Sequence, residues 1–197
     1  MRNLLDQDLF IFDMGNVVIR DITTLEAIVA RYGFDFDELH EDYRHYVYPL
    51  MDGTIDSALW WDHVAHQFGI RVEGDPLATF FLPRWNEPVV RLIGYLRSHG
   101  KRIVVGSNTY APHWDFLRER GFLEVFDACY ASHLMGICKP SKRFFSHILQ
   151  AESIKPQKAF FLDDYEENVI AARQMGIPSH HYVLDSDLTA VFGPIFT

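Results

Sequence analysis

Residues 9–18 read LFIFDMGNVV, and this stretch decides the fold. Four apolar residues run directly into Asp13, and Gly15 and Asn16 follow before the chain becomes apolar again at Val17. A short apolar run bounded by turn-forming residues is typical of a strand buried on both faces of a parallel sheet. Asp13 would then lie at the carboxyl end of that strand, where open α/β sheets bind their ligands. An Asp that only starts a turn is the alternative for this segment alone.

Length and composition limit the class of protein. With 197 residues, the chain can form one large α/β domain, or one domain that carries an insertion. A hydrophobic fraction of 48% and a charged fraction of 23% indicate a packed globular protein. The net charge of −9, with no compensating cluster of Lys and Arg, argues against a nucleic-acid partner. Cys129 and Cys138 are too few for a disulfide framework and favour a reducing compartment.

The sequence predicts a cytoplasmic protein without a membrane partner. The first residues, MRNLLDQD, contain Asp6 and Asp8, which interrupt the apolar segment that a secretory signal needs. No apolar run approaches the roughly 20 residues that span a bilayer.

The order of helix and strand signals predicts the architecture. Between Asp21 and Trp85 the signals are helical, and no convincing strand is found. Thr23 or Thr24, Asp35 and Ser57 are the predicted caps of three helices there, and a fourth begins at Pro76. From residue 86 onward, helices alternate with strands predicted at residues 103–105, 128–131, 159–162 and 180–184. This alternation is typical of a Rossmann-like α/β fold, a parallel sheet flanked by helices, and the earlier helices form a bundle inserted after the first strand.

Polar residues follow three of the predicted strands. They are Asp13 after the first strand, Ser107 and Asn108 after the second, and Asp163 and Asp164 after the fourth, while Lys139 lies in a loop before a capped helix. If these strand ends share one edge, their carboxylates suit Mg²⁺, which keeps several waters and takes few protein ligands. The hydroxyl and ammonium groups suit a phosphate. Asp13 would then serve as metal ligand and as nucleophile.

Four segments in chain order carry a resemblance to a known family, namely FIFDMGNVV, VVGSNT, KPS and FLDDYEENV. They resemble the motifs of the haloacid dehalogenase (HAD) superfamily, in its phosphatase branch, and the resemblance covers essentially the whole chain. It implies a HAD-like core domain of residues 1–19 and 86–197 and a helical cap domain of residues 20–85. It also implies a Mg²⁺-dependent phosphatase that acts on a small phosphorylated metabolite through an aspartyl-phosphate on Asp13.

The resemblance also implies a function for each motif residue. Asp13 is the nucleophile and a metal ligand, and the carbonyl of Gly15 is a second ligand. Asp164 is a direct Mg²⁺ ligand, and Asp163 is either a ligand or a supporting partner. The phosphate is held by Ser107 and Lys139, with Asn108 beside them, and Lys139 is also counted as catalytic.

Gly15 departs from the usual family pattern, which places a second Asp there as general acid/base. Losing such a group costs about 10²–10⁴-fold in typical enzymes. The FDxGN form resembles a subgroup of sugar-phosphate phosphatases related to α-glucose-1-phosphate phosphatase, which makes a sugar phosphate the predicted substrate. Three explanations would reconcile Gly15 with catalysis. The substrate has a better leaving group, a residue of the cap donates the proton, or turnover is slow. The candidate donors are Asp21, His45 and His66.

Gly15 also keeps a rival function open. A weakened family member would bind a phosphorylated ligand or a partner protein without efficient turnover. A phosphotransferase or mutase ranks lower because it would need the missing acid. Dehalogenases of this superfamily dispense with Mg²⁺, so the pair Asp163-Asp164 argues against their chemistry.

Two further segments are open to a functional and a structural interpretation. Residues 46–52, YVYPLMD, lie between predicted cap helices and are the first place to expect substrate contacts. Trp60 and Trp61 could stack on a sugar, but at least one of them is expected in the core of the helical bundle.

Overall fold

The strand Leu9–Phe12 lies at the centre of the sheet in the computed structural model, which describes residues 6–192. The strands are β1 (Leu9–Phe12), β2 (Ile19–Arg20), β3 (Arg84–Trp85), β4 (Arg102–Ser107), β5 (Ala128–Ala131), β6 (Ala159–Asp163) and β7 (Ser179–His181). The helices are α1 (Leu25–Tyr32), α2 (Phe36–Met51), α3 (Ser57–Phe68), α4 (Pro76–Thr79), α5 (Glu87–Ser98), α6 (Ala111–Glu119), α7 (Ser132–Met135), α8 (Lys142–Ala151), α9 (Glu166–Gln174) and α10 (Thr189–Phe192).

Five of these strands form a parallel sheet in the order β5-β4-β1-β6-β7. This arrangement, with helices on both faces, confirms the predicted Rossmann-like α/β fold. The last strand is shorter than the predicted 180–184, since β7 ends at His181. Within residues 6–192, no helix combines the length and the apolar character that crossing a membrane requires.

Strand β1 is buried on both faces, as its continuous apolar run predicted. Phe10 and Phe12 belong to one hydrophobic cluster, and Leu9 and Ile11 belong to another. Successive side chains of a strand point to opposite faces, so these two clusters lie on the two sides of the sheet. Helices α5 and α6 pack into the first cluster, and α8 and α9 pack into the second.

Helices α1–α4 contribute most of a third hydrophobic cluster, and both Trp60 and Trp61 are buried in it. The Asp35 side chain caps α2 as predicted, because it accepts a hydrogen bond from the N–H of Glu38. The prediction of a cap at Ser57 is wrong: Asp56 caps α3, and the Ser57 hydroxyl donates to Asp75 instead. The boundaries of the core and cap domains stay a prediction, and residues 1–5 and 193–197 of the core lie outside the described residues.

A small antiparallel sheet was not predicted, and one of its strands, β3, lies in the region where only helices were expected. Strands β2 and β3 pair Ile19 with Trp85 and Arg20 with Arg84. Two-residue strands carry no readable periodicity, and their partners are more than sixty residues apart in the chain, so no local pattern reveals them. The pair joins the two chain segments that enter and leave the region of α1–α4.

Gly53, just after α2, approaches α7 so closely that a side chain has no room. Its φ is +76°, and a Cβ there would lie 2.6 Å from the carbonyl oxygen of His133. We expect Gly53→Ala to lower the free energy of unfolding by the cost of positive φ, about 1–2 kcal/mol, plus about 1–3 kcal/mol for the clash. Urea denaturation measures both terms together.

Gly33→Ala is the matched control, because Gly33 has a φ of +79° and its Cβ would meet nothing within 4 Å. The loss in Gly53→Ala should exceed the loss in Gly33→Ala. Equal losses in the two variants would contradict a tight approach of α2 to α7.

Candidate active site

The carboxyl ends of two adjacent strands bring the predicted carboxylates together. Asp13 directly follows β1, Asp163 is the last residue of β6, and Asp164 comes next in the chain. The strands pair in register with Phe12 opposite Leu162, so Asp13 and Asp163 leave the sheet side by side. One oxygen from each of the three carboxylates lies within 4.8 Å of the other two.

Lys139 is the cation of this cluster, and only 1% of its surface is exposed. Its Nζ atom lies 2.5 Å from Asp13 Oδ1 and 2.7 Å from Asp163 Oδ2. The rings of Phe144 and Phe161 lie nearby, with centroids 5.8 and 5.5 Å from Nζ. A buried charge is tolerated only when it is paired and hydrogen-bonded. Lys139 therefore couples the ends of β1 and β6.

Asn108 holds the loop that carries Lys139. Asn108 Nδ2 donates to the carbonyl oxygen of Lys139 at 2.9 Å, and the Lys139 N–H donates to Asn108 Oδ1 at 2.8 Å. These reciprocal bonds connect the end of β4 to the loop before α8. Ser107 ends β4 and is buried, and the predicted contacts of Ser107 and Asn108 with phosphate stay predictions.

Asp163 and Asp164 differ in how their oxygens are used. Asp163 is fully buried, and its Oδ1 accepts hydrogen bonds from the Tyr165 N–H at 2.8 Å and from Asn168 Nδ2 at 2.9 Å. Because its Oδ2 accepts from Lys139, both oxygens already have partners. Asp164 is partly exposed and lines a cavity together with Asp13. This difference favours Asp164 as the direct metal ligand and Asp163 as the partner that positions Lys139.

Two asparagines that the sequence reasoning did not single out support these carboxylates. Asn168 is buried on α9 and binds Asp163, and Asn16 Nδ2 donates to Asp164 Oδ2 at 3.1 Å. Asn16 also has a φ of +54°, which turns the chain after β1. The sequence did contain a signal for Asn168. It is a polar residue next to Val169 on the buried face of α9, and this helix starts just after the Asp163-Asp164 pair.

Burial and neighbouring charges change the proton affinities of the cluster. Burial, opposed by Lys139 and reinforced by Asp163 and Asp164, raises the pKa of Asp13 to about 7. Burial also raises the pKa of Asp164, although the hydrogen bond from Asn16 opposes this change. Burial alone would lower the pKa of Lys139, but Asp13 and Asp163 outweigh it, so this pKa lies above its ordinary value. The ammonium group is therefore charged at neutral pH.

A cavity of about 580 Å³ opens beside the cluster. Its lining includes Asp13 and Lys139 of the cluster, together with Val47, Tyr48 and Met51 of α2. The prediction that residues 46–52 face the site is confirmed by these three side chains. The cavity has the size of typical small-molecule sites, which measure about 300–1,000 Å³.

The three predicted proton donors do not face this cavity. Within the described part of the chain, Asp21, His45 and His66 are absent from its lining, and Asp21 pairs with Arg84 instead. Their proposed part in catalysis is therefore wrong for this conformation. Packing between distant residues decides which parts of the helical region reach the cavity. The sequence pattern does not reveal this packing.

The oxygen donors of the site fit Mg²⁺. The carboxylates of Asp13 and Asp164 line the cavity, and Gly15 lines it as well. Three carboxylates around one ammonium group leave an excess of negative charge, which a divalent cation would neutralise. Oxygen ligands without His or Cys suit Mg²⁺ better than a softer metal.

Ile22 approaches position 15 closely. A Cβ atom on Gly15 would lie 2.8 Å from Ile22 Cδ1, which also lines the cavity. A side chain at position 15 would therefore require the end of the Ile22 side chain to move.

Comparison with known proteins adds sequence relatives. The sesquiterpene phosphatase astK of Aspergillus oryzae is 31% identical over 147 residues, which cover 66% of this chain and 75% of that protein. Acyl-CoA dehydrogenase family member 10 of Mus musculus is 30% identical over 153 residues and 70% of this chain, and the chain spans 14% of that protein.

Solved structures share the fold at low sequence identity. A HAD family enzyme from Bacteroides thetaiotaomicron, solved as a magnesium complex, superposes with a TM-score of 0.80 at 22% identity, covering 95% of this chain and 98% of that one. The L-2-haloacid dehalogenase of Xanthobacter autotrophicus has a TM-score of 0.66 at 14% identity, covering 97% of this chain and 85% of that one.

A family model described as haloacid dehalogenase-like hydrolase matches residues 7–176, which include all four motifs. This match confirms the prediction of a HAD-like enzyme, and the phosphatase among the relatives agrees with its phosphatase branch. The chain therefore belongs to the haloacid dehalogenase-like hydrolase family.

Proposed function

We propose that the protein is a Mg²⁺-dependent phosphomonoester hydrolase that acts on a small phosphorylated molecule through an aspartyl-phosphate on Asp13. The observation that carries this proposal is the cluster of Asp13, Asp163 and Asp164 around the buried Lys139, at the wall of a cavity of about 580 Å³. A carboxylate nucleophile, a cation and metal-binding carboxylates are together the groups that phosphoryl transfer needs.

The reaction proceeds in two displacements at phosphorus. In the first, a carboxylate oxygen of Asp13 forms a bond to phosphorus while the bond to the alcohol oxygen of the substrate breaks, and the leaving alkoxide takes a proton from solvent water. In the second, a water oxygen attacks the same phosphorus and gives up a proton to solvent, and the bond to Asp13 breaks, which releases inorganic phosphate and regenerates the carboxylate. Lys139 holds Asp13 in place through its 2.5 Å contact and stabilises the negative charge of the phosphate oxygens.

Asp13, Asp164 and the carbonyl of Gly15 would hold Mg²⁺. When bound, the ion lowers the repulsion between the Asp13 carboxylate and the phosphate. The Bacteroides thetaiotaomicron enzyme was solved with magnesium and inorganic phosphate, which supports a site for both in a protein of this fold. The Aspergillus oryzae relative, named a sesquiterpene phosphatase, supports hydrolysis of phosphate esters. The FDxGN resemblance supports a sugar phosphate as one possible substrate.

Gly15 favours a second function, which is binding of a phosphorylated ligand without efficient turnover. The leaving oxygen lacks the usual acid, because position 15 has no side chain. The phosphatase remains the better supported function. Lys139 is buried between two carboxylates, and charged groups in such surroundings cluster at functional sites.

The central test is phosphate release from acetyl phosphate and a panel of sugar phosphates, with Mg²⁺ and with a chelator. We expect release that depends on Mg²⁺ and that falls by at least about 10³-fold in Asp13→Asn, since the amide cannot act as nucleophile. Asp62→Asn, on an exposed part of α3, is the control with the same chemical change. Wild-type activity in Asp13→Asn would refute the covalent mechanism, and no release from any compound would favour the binding function.

The raised pKa of Asp13 makes a prediction about stability. Burial raises this pKa from 3.8 to about 7, so the folded protein holds a proton that the unfolded chain has lost. The free energy of unfolding of the metal-free protein should therefore fall as the pH rises between these two values. Asp13→Asn should show a smaller fall, and Asp62→Asn should keep the whole of it. Urea denaturation in chelator at several pH values measures this, and identical profiles for wild type and Asp13→Asn would contradict it.

The space taken by Ile22 makes a prediction about the missing acid. In an Ile22→Ala background, Gly15→Asp should raise the hydrolysis of simple alkyl phosphates by about 10²-fold, the lower range for a restored general acid. Acetyl phosphate should change little, because its leaving group needs no proton. The control is Gly15→Asn in the same background, which cannot donate a carboxyl proton. Equal rates for Asp and Asn at position 15 would show that the site works without an acid there.

A further inference from the structure

The helical region supplies one part of the cavity lining, here called the helical wall, and this part carries six apolar or aromatic side chains. Its side chains come from the segment before α1, from α1 itself and from α2: Ile22, Leu25, Phe36, Val47, Tyr48 and Met51. Three aromatic residues of the lining are well exposed, with exposed fractions of 38% for Phe36, 53% for Tyr48 and 65% for Tyr165. Exposed apolar groups that are grouped around a cavity indicate a binding surface.

Three polar side chains of the lining, Tyr43, Tyr110 and His113, are hydrogen-bonded to one another. The hydroxyl groups of Tyr43 and Tyr110 lie 3.2 Å apart, and the Tyr110 hydroxyl lies 3.3 Å from His113 Nε2. His113 Nε2 also lies 3.1 Å from the carbonyl oxygen of Leu77. Burial lowers the pKa of His113 to about 3, so the ring is neutral. This chain of bonds leaves little capacity for new partners.

A sugar would be poorly satisfied against such a wall. Each buried hydroxyl of a ligand that finds no partner reduces affinity, because its hydrogen bonds to water are lost without replacement. The other polar side chains of the lining include Glu26, His40, Arg44 and Glu167, which are exposed to solvent, and the buried Thr24. The His40 ring also stacks on Phe36, with centroids 5.5 Å apart and planes at 8°. Between them, Ile22, Val47 and Met51 offer a ligand no hydrogen-bonding partner.

We infer, on the basis of the proposed hydrolase function, that the substrate is the monophosphate of an apolar aliphatic alcohol rather than a sugar phosphate. Its phosphate binds at Asp13 and Lys139, and its hydrocarbon part lies against Val47 and Met51 on α2. Val47 and Met51 are four residues apart on one helix, so their side chains share a face. These two residues select for a hydrocarbon chain.

Binding of alkylphosphonates tests this inference without turnover. Phosphonates carry a carbon–phosphorus bond and are not hydrolysed, so calorimetry in the presence of Mg²⁺ reports affinity alone. For methyl-, butyl-, hexyl- and octylphosphonate we expect the affinity to rise with chain length, by up to about fourfold per buried methylene. The heat capacity of binding should become more negative along the series. The phosphonate analogue of glucose 6-phosphate should bind more weakly than hexylphosphonate.

The double variant Val47→Thr/Met51→Gln locates the hydrocarbon. Each substitution keeps the side chain close to its original size and adds polar atoms, so the gain in affinity per methylene should be reduced. Leu59→Gln is the control: Leu59 is 56% exposed on α3, and it is not among the cavity-lining residues of the described chain. This variant should keep the wild-type dependence on chain length. Circular dichroism of all variants checks that the helices are intact.

The outcomes separate this inference from the proposed function. If phosphate is released from acetyl phosphate but the affinity does not depend on chain length, the hydrolase stands and the inference is overturned. If the affinity depends on chain length but no phosphate is released from any compound, the apolar ligand is supported and the hydrolysis fails. Tighter binding of the glucose analogue than of hexylphosphonate, or an unchanged chain-length dependence in Val47→Thr/Met51→Gln, would also overturn the inference.

Discussion

The buried ion pairs of Lys139 with Asp13 and Asp163 are the interaction on which the rest of the structure depends. Removing an ammonium group from water is unfavourable by several kcal/mol, and here two carboxylates in close contact compensate for it. Such contacts form only if β1, β6 and the loop before α8 reach the same edge of the sheet. The fold and the catalytic centre are therefore stabilised by one set of contacts. The excess of negative charge that remains prepares the site for a cation.

The sequence predicted those parts of the molecule that depend on neighbouring residues. The run LFIF predicted a strand buried on both faces, and parallel packing placed Asp13 at the carboxyl edge with Asp163. The cap of α2 by Asp35 was also readable, because a cap involves residues within one turn. The carboxylates of the cluster were found for the same reason, since each lies at or directly after the end of an apolar strand.

What the sequence did not predict depends on contacts between distant residues. Asp56 rather than Ser57 caps α3 because the Ser57 hydroxyl finds Asp75, a partner that no local pattern shows. The pairing of β2 with β3 joins segments separated by the whole helical region. The bond from Asn16 to Asp164 spans 148 residues of sequence. Which residues line the cavity likewise depends on how the helices pack. The three predicted proton donors do not line it.

Ile22 links Gly15 to the apolar lining of the cavity. A Cβ atom at position 15 would lie 2.8 Å from Ile22 Cδ1, and the same side chain is part of that lining. An acid at position 15 would therefore require Ile22 to change its rotamer. In the function that we propose, an apolar lining would reduce the water around the bound phosphate and so strengthen its attraction to Lys139. The charges at the strand edge would then hold the phosphate, and the helical residues of the lining would select the rest of the ligand.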